Sequence, residues 1–341
     1  MCPIAVSGED PAYVNPKYQL SELDIGTNEG HLESSLMGWL KPWPADTPDD
    51  VLRHELMTRG VVHVKNLMPR EMVLSIRKRW FERVKPTGVL EPGTEPVEGI
   101  FCGKDPKHYV WPKVVENNTK TVEDFAKKDD YTYLAAKMHY EEWTNEFSGN
   151  EYLMGMVKRL KPDWNRPSVL RRQIFRTNMP YAESATAVHY DQLFFRYAPP
   201  TALTCWVPIG DCPPSSGGLM YLENSLSLGK EYEDGFSRMS DEKNLTDEER
   251  RYAYNVNMTA KGGLGWDAGK FAVEEGRGRK WLLGDYEAGD AVFHHMYTIH
   301  ASGGNHDAAG RIRFSADLRF ADLDQEFDHR WTNVFHPGDG L

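Results

Sequence analysis

His189-Tyr190-Asp191 is the tripeptide of this chain with the most chemical potential. It sits in an alternating, strand-like run, AVHYDQLFF, and side chains two apart on a strand project to the same face. A neutral imidazole and a carboxylate so placed can share one metal ion. Two ligands leave a divalent ion exposed, so a third is expected from another strand, and His300 in YTIHASGGN is placed to supply it. Two histidines and one carboxylate on one side of an ion keep its other side open. That is the ligand set of non-haem Fe(II) sites, whose open positions take a bidentate co-substrate and dioxygen. His-x-Asp alone is a weak signal in a chain with 12 histidines, and its company is what raises it. Beyond a turn containing Gly303, Gly304 and Gly310, Arg311 opens RIRFSADLRF. Arg311, Arg313 and Ser315 alternate with Ile312, Phe314 and Ala316, and a guanidinium fork on the polar side binds a carboxylate bidentately. Ser302, two residues past His300, adds a hydroxyl on that side.

Short strands must position these groups. From Val169 the texture is VLRRQIFR, AVHYDQLFF, ALTCWVPIGD and GLMYLEN, resumed later by GDAVFHHMYTIHAS and RIRFSADLRF, the spacing of an all-β barrel or sandwich. Upstream, Thr47 as N-cap and Pro48 at the first helical position predict a helix that stops at Gly60. A β-branched strand, VVHVK at 61–65, follows, and Pro69 opens a second helix whose Met72, Val73, Ile76, Trp80 and Val84 recur at helical spacing. A helical zone is expected over 121–160. Residues 1–46, rich in Gly, Pro and acids, read as an arm crossing the surface of a single domain, 47–341. Two insertions, near 86–120 and 226–280, are expected to cover the site with Phe101, Tyr109, Trp111, Tyr254, Trp266 and Phe271; the second holds one helix-like piece, DEERRYAYNV.

Composition narrows the partners. Forty basic against 51 acidic residues leave a net charge of −11, a poor start for holding a polyphosphate, so nucleic acid is not expected, nor is a CoA handle. No run of 18 or more apolar residues occurs and the N-terminus lacks a signal-peptide pattern, so no membrane partner and a cytoplasmic location are expected. Four cysteines without CxxC pairing read as free thiols. A homodimer is kept open as the assembly. The glycines of KGGLGWDAGKF fall short of a phosphate-binding loop, because Phe271 stands where Ser or Thr is required.

The segment GDAVFHHMYTIHASGGN…GRIRFSADLRF, with Asp290 ahead of His300, resembles the second half of the phytanoyl-CoA dioxygenase family of Fe(II)- and 2-oxoglutarate-dependent oxygenases. AVHYDQLFFRYAPPTALTCWVPIGDCPPSSGGLMYLENS is similar to its first half, and the helix, Gly60, VVHVK, helix sequence to its entry element. The resemblance implies a mainly β, cupin-like double-stranded β-helix (jelly roll) with flanking helices. It implies that His189, Asp191 and His300 bind Fe(II), that Arg311 with Ser302 holds the distal carboxylate of 2-oxoglutarate, and that Trp206 lines the co-substrate site. His294 and His295, though near His300, are not expected as ligands. The implied reaction consumes dioxygen, decarboxylates 2-oxoglutarate to succinate, and hydroxylates, desaturates, cyclises or epoxidises at an unactivated C–H. Halogenation is disfavoured, because Asp191 occupies the position a halide needs. A small metabolite, such as an amino acid or natural-product intermediate, is the expected substrate, with Arg172, Arg176, Arg313, Phe195 and Trp266 as candidate contacts. Two other readings stay open: a metal-binding cupin-like protein that is not an oxygenase and has no need of Arg311, and a facial-triad iron oxygenase that works without 2-oxoglutarate.

Overall fold

A computed structural model describes residues 12–109, 130–182, 185–246, 249–250 and 263–334. Among these residues eleven strands fall into two sheets: β1 Met37–Trp39, β2 Pro42–Pro44, β3 Val61–Lys65, β4 Pro167–Val169, β5 Ile174–Asn178, β6 Leu203–Pro208, β7 Leu219–Leu222, β8 Trp281–Leu283, β9 Ala291–His295, β10 His300–Ser302 and β11 Arg313–Asp322. The larger sheet runs β2-β3-β9-β6-β11-β4, with β5 also paired to β11, and the smaller runs β1-β8-β7-β10. No closed barrel forms among the described residues. Helices α1 Asp49–Arg59, α2 Arg70–Val84, α3 Tyr131–Met138, α4 Glu142–Ser148, α5 Glu151–Leu160, α6 Leu226–Glu242 and α7 Ala268–Glu274 complete the architecture.

Alternation on β11 divides the larger sheet into two chemically different faces. Phe314, Ala316, Leu318 and Phe320 are fully buried in one apolar cluster with Trp80 and Phe81 of α2 and Phe147 of α4. Burying each such large side chain contributes roughly 1.5–3 kcal/mol, which holds the helices to the outside of the sheet. The opposite face is polar. There Arg319 is in register with Thr204, and Thr204 with His294; one step along, Asp317 pairs with Trp206 and Trp206 with Val292; Ser315 lies between Arg176 and Pro208. Leu219 and Tyr221 of the smaller sheet pack into one cluster with Trp206 and Val292, so the two sheets face each other across this polar side. On the far side of the smaller sheet, Met220, Leu222 and Ala301 pack with Leu228 of α6 and Phe271 of α7.

Several expectations meet a different outcome. The arm contributes β1 and β2, which pair in parallel with β8 and β3, and Ile25, Leu32, Met37 and Leu40 are buried. AVHYDQLFF is not a continuous strand: isolated bridges at Val188 and His189 lead into a 3-10 turn at Asp191–Phe194. VLRRQIFR breaks at Leu170–Gln173 between β4 and β5. In the second insertion the long helix is α6, which two internal glycines hide from propensity, while most of DEERRYAYNV lies outside the described residues. Of the aromatics assigned to covering loops, Phe101, Tyr109 and Phe271 are buried in apolar clusters and Trp266 is half-buried. Trp111 and Tyr254 lie outside the described residues. Cys102, Cys205 and Cys212 are free thiols, and no described helix is long and apolar enough to cross a membrane.

Candidate metal centre

His189 and His300 are brought together by backbone before side chains enter. The amide of each donates to the carbonyl of the other, at 3.0 and 2.8 Å, so the two residues form a bridge between the 185–190 segment and β10. Their ring centroids are 4.2 Å apart. Each ring donates Nδ1–H to a carbonyl two residues upstream, His189 to Ala187 at 2.8 Å and His300 to Thr298 at 2.9 Å. Those bonds select the tautomer that leaves both Nε2 lone pairs free for an ion. Burial, reinforced by each ring's neighbouring imidazole, pushes the pKa of His189 down to about 3 and of His300 to about 4, so both are neutral donors at neutral pH.

Asp191 completes the set. Its Oδ1 lies 3.8 Å from His189 Nε2 and 3.7 Å from His300 Nε2. One donor atom from each of the three buried residues lies within 4.8 Å of the others. The second carboxylate oxygen is engaged elsewhere: Thr204 Oγ1 donates to Oδ2 at 2.5 Å and His294 Nε2 at 3.2 Å. The His294 tautomer that donates there accepts at Nδ1 from the Tyr221 hydroxyl, 3.3 Å away. Arg319 Nη2 meets Oδ1 at 3.2 Å. Burial alone would raise the Asp191 pKa, but the Arg319 charge and the His294 hydrogen bond outweigh it and hold the carboxyl well below its ordinary range. An anionic oxygen and two neutral imidazole nitrogens, all desolvated and converging, fit a divalent transition metal.

The two arginines at the head of β11 differ sharply. Arg311 is bound by Asp307, with Nε 3.1 and 3.0 Å from the two carboxylate oxygens and Nη2 2.9 Å from one, and its side chain is 35% exposed. Arg313 is buried. Its Nη1 donates to Ser315 Oγ at 2.6 Å, its Nε has no hydrogen-bond partner, and no carboxylate among the described residues pairs with it. Burial lowers its pKa, and the Asp317 charge further along β11 offsets this only in part. On the inner face Arg313 therefore has no ion pair within salt-bridge distance among the described residues, whereas Arg311 is paired with Asp307. Ser302 is buried and its Oγ accepts from Thr186 N at 2.7 Å, which ties the His189 segment to β10. Trp206 is fully buried on the inner face, edge-on to Tyr286 at 4.8 Å.

The candidate substrate contacts separate in the same way. Arg176 is half-exposed on the inner face with Nε 3.5 Å from Asp317 Oδ2. Arg172 and Phe195 both pack on Trp331, the first at 5.6 Å and the second stacked at 3.9 Å. Trp266 lies in the 263–266 turn, its carbonyl accepting from Asn28 Nδ2 at 2.7 Å. Sequence reading missed Thr204 and Arg319 as partners of Asp191 and gave His294 no part. The signal was present on β11, where Arg313, Ser315, Asp317 and Arg319 interrupt an apolar strand at every second position.

The sequence matches the phytanoyl-CoA dioxygenase (PhyH) family model over residues 57–313. A search of curated proteins finds no significant match. Among solved structures, EctD from S. alaskensis with bound Fe aligns at 9% identity over 89% of this chain and 85% of that one, TM-score 0.50. EctD with 2-oxoglutarate and 5-hydroxyectoine aligns at 10% identity over 85% and 81%, TM-score 0.50. The carbocyclase SnoK from nogalamycin biosynthesis aligns at 16% identity over 89% and 96%, TM-score 0.46. With a family model spanning well over half its length and a buried two-histidine, one-carboxylate cluster within that span, the chain belongs to the phytanoyl-CoA dioxygenase family and is an Fe(II)- and 2-oxoglutarate-dependent oxygenase of a small molecule.

Proposed function

We propose that His189, Asp191 and His300 hold the iron, Asp191 through Oδ1 alone, and that Arg313 with Ser315 seats the distal carboxylate of 2-oxoglutarate in place of Arg311. We further read the two facing sheets as the halves of a double-stranded β-helix, with the metal in the gap between them. The observation that carries this reading is the convergence of three buried donor atoms within 4.8 Å, with an uncompensated guanidinium on the same inner face. With Fe(II), 2-oxoglutarate and dioxygen bound, the centre supplies decarboxylation of the keto acid to succinate and oxidation of a substrate C–H bond.

The chain's own residues do the rest. Thr204 and His294 engage Asp191 Oδ2, so the carboxylate presents one oxygen to the ion and leaves positions for a chelating co-substrate. The carbonyls of Ala187 and Thr298 orient both imidazoles. Arg313 supplies a desolvated cation at a distance along β11 from Arg319, which fixes the direction in which a dicarboxylate lies. Arg176 and Asp317, side by side and only partly buried, offer one cation and one anion to a polar substrate such as an amino acid or natural-product intermediate, hydroxylated or further oxidised at an unactivated position. Anaerobic titration with Fe(II) and 2-oxoglutarate tests the assignment: a weak visible charge-transfer band is expected only when both are present, and to be lost in Asp191→Ala. A band that survives that substitution overturns the ligand set. Absence of succinate after admitting dioxygen with a metabolite panel overturns the use of 2-oxoglutarate.

A further inference from the structure

Away from the iron centre, Asp24, His31 and His306 bring one donor atom each within 4.8 Å of one another. The first two flank a tight turn closed by Thr27 N to Gly30 O at 2.7 Å and Leu32 N to Ile25 O at 2.8 Å. His306 comes from the loop between β10 and β11, joined to that turn by Gly304 N to Gly26 O at 2.8 Å. His31 Nδ1 already contacts Asp24 Oδ1, and His306 Nδ1 is 3.8 Å from Asp24 Oδ2.

The His306 ring is held independently of that carboxylate. On one side it lies over the backbone of Gly26, where an added Cβ would come within 2.6 Å of the ring. It also stacks on Tyr181, with centroids 5.7 Å apart and planes 21° from parallel. Tyr181 is an exposed aromatic in the left-handed region, φ 59°, a conformation that bulky residues rarely adopt and that places its ring against His306. A tyrosine in the left-handed region and a glycine thus both pack against an imidazole whose nitrogen faces a carboxylate shared with a second imidazole.

We propose that Asp24, His31 and His306 form a second metal site that takes a borderline divalent ion of the zinc class. Two imidazole nitrogens and one carboxylate oxygen suit Zn2+ and leave its fourth position to water, whereas Mg2+ and Ca2+ need oxygen donors. The ion cross-links the N-terminal turn to the loop that leads into β11, and so pins two segments 275 residues apart in the chain, His31 and His306.

Calorimetric titration of the metal-free full chain with Zn2+ alone tests this. Wild type is expected to take two equivalents and His300→Ala one. His31→Ala, His306→Ala and Asp24→Ala are each expected to keep only the equivalent that His300→Ala loses. The His31 and Asp24 side chains are mostly exposed, so their removal leaves the fold intact, which a far-ultraviolet spectrum checks. Replacing Zn2+ by Co2+ in His300→Ala gives a second readout, an intense tetrahedral visible spectrum that His31→Ala abolishes. Zinc uptake in His300→Ala that persists after His31→Ala overturns the proposal, as does no uptake by His300→Ala. Failure of the iron assignment would instead show as an unchanged titration on His300→Ala.

Discussion

Arg313→Met removes a buried charge while keeping most of the side-chain volume, and the structure predicts opposite consequences for the empty and the liganded protein. Without co-substrate, the guanidinium has Ser315 as its hydrogen-bond partner and an idle Nε. Replacing an uncompensated buried ion by an apolar group is neutral or stabilising, so the denaturation midpoint should hold or rise. With 2-oxoglutarate, the variant forgoes a charge-assisted two-point contact of about 1.5–3 kcal/mol, or roughly 10- to 150-fold in affinity. Anaerobic chemical denaturation with Fe(II) and 2-oxoglutarate at 100 times the wild-type dissociation constant should stabilise wild type by about 2.7 kcal/mol. A variant weakened about 30-fold should gain only about 0.9 kcal/mol under the same conditions. Arg311→Met should respond as wild type, because its guanidinium is bound by Asp307 and a third exposed. Full stabilisation in Arg313→Met together with a lost response in Arg311→Met would refute the reasoning and return the carboxylate to Arg311.

Three more perturbations probe the frame around that site. Thr204→Val and His294→Phe each remove one of the two hydrogen bonds to Asp191 Oδ2, and should weaken Fe(II) binding by about 10- to 100-fold in chelator competition, with Thr204→Ser restoring it; equal weakening in Thr204→Ser would mean packing, not the hydroxyl, matters. Gly229→Ala places a Cβ 2.0 Å from the Tyr297 carbonyl oxygen, so α6 must shift, and urea unfolding should show a loss of about 1–3 kcal/mol; an unchanged midpoint would disprove the close approach. His139 is buried, accepts from Phe175 N at 3.1 Å, and burial pushes its pKa down to about 4. The unfolded chain therefore takes the proton first. The His139 contribution is complete above pH ~6.5 and is lost as pH falls from there towards 4, up to about 3 kcal/mol. Unfolding free energies of wild type and His139→Gln should converge over that window, and parallel pH profiles would contradict the assignment.

Local residue types were enough to read α1, β3 and α2, because Pro48, Gly60 and Pro69 punctuate them and their apolar positions keep one period. The cluster of His189, Asp191 and His300 was legible too from residue types in company, although Asp191 sits in a 3-10 turn and not on the strand that alternation implied. Alternation along β11 even marked a polar inner face. Yet alternation puts Arg311 and Arg313 on the same side, and nothing in RIRFSADLRF says which of them is left without an acidic partner on the inner face. That choice depends on where the 303–310 loop folds back: it sets Asp307 against Arg311 and carries Arg313 inward beside Ser315. The partners of Asp191 lie equally beyond a linear reading, because Thr204, His294 and Arg319 become neighbours only through the lateral register of β9, β6 and β11. Sequence by itself determined which residue types were available as donors and where punctuated elements such as α1, β3 and α2 run, both set by residue type and local period. Tertiary structure alone decided which charges are neutralised and which are left buried without a partner, because that depends on distances between strands far apart in the chain.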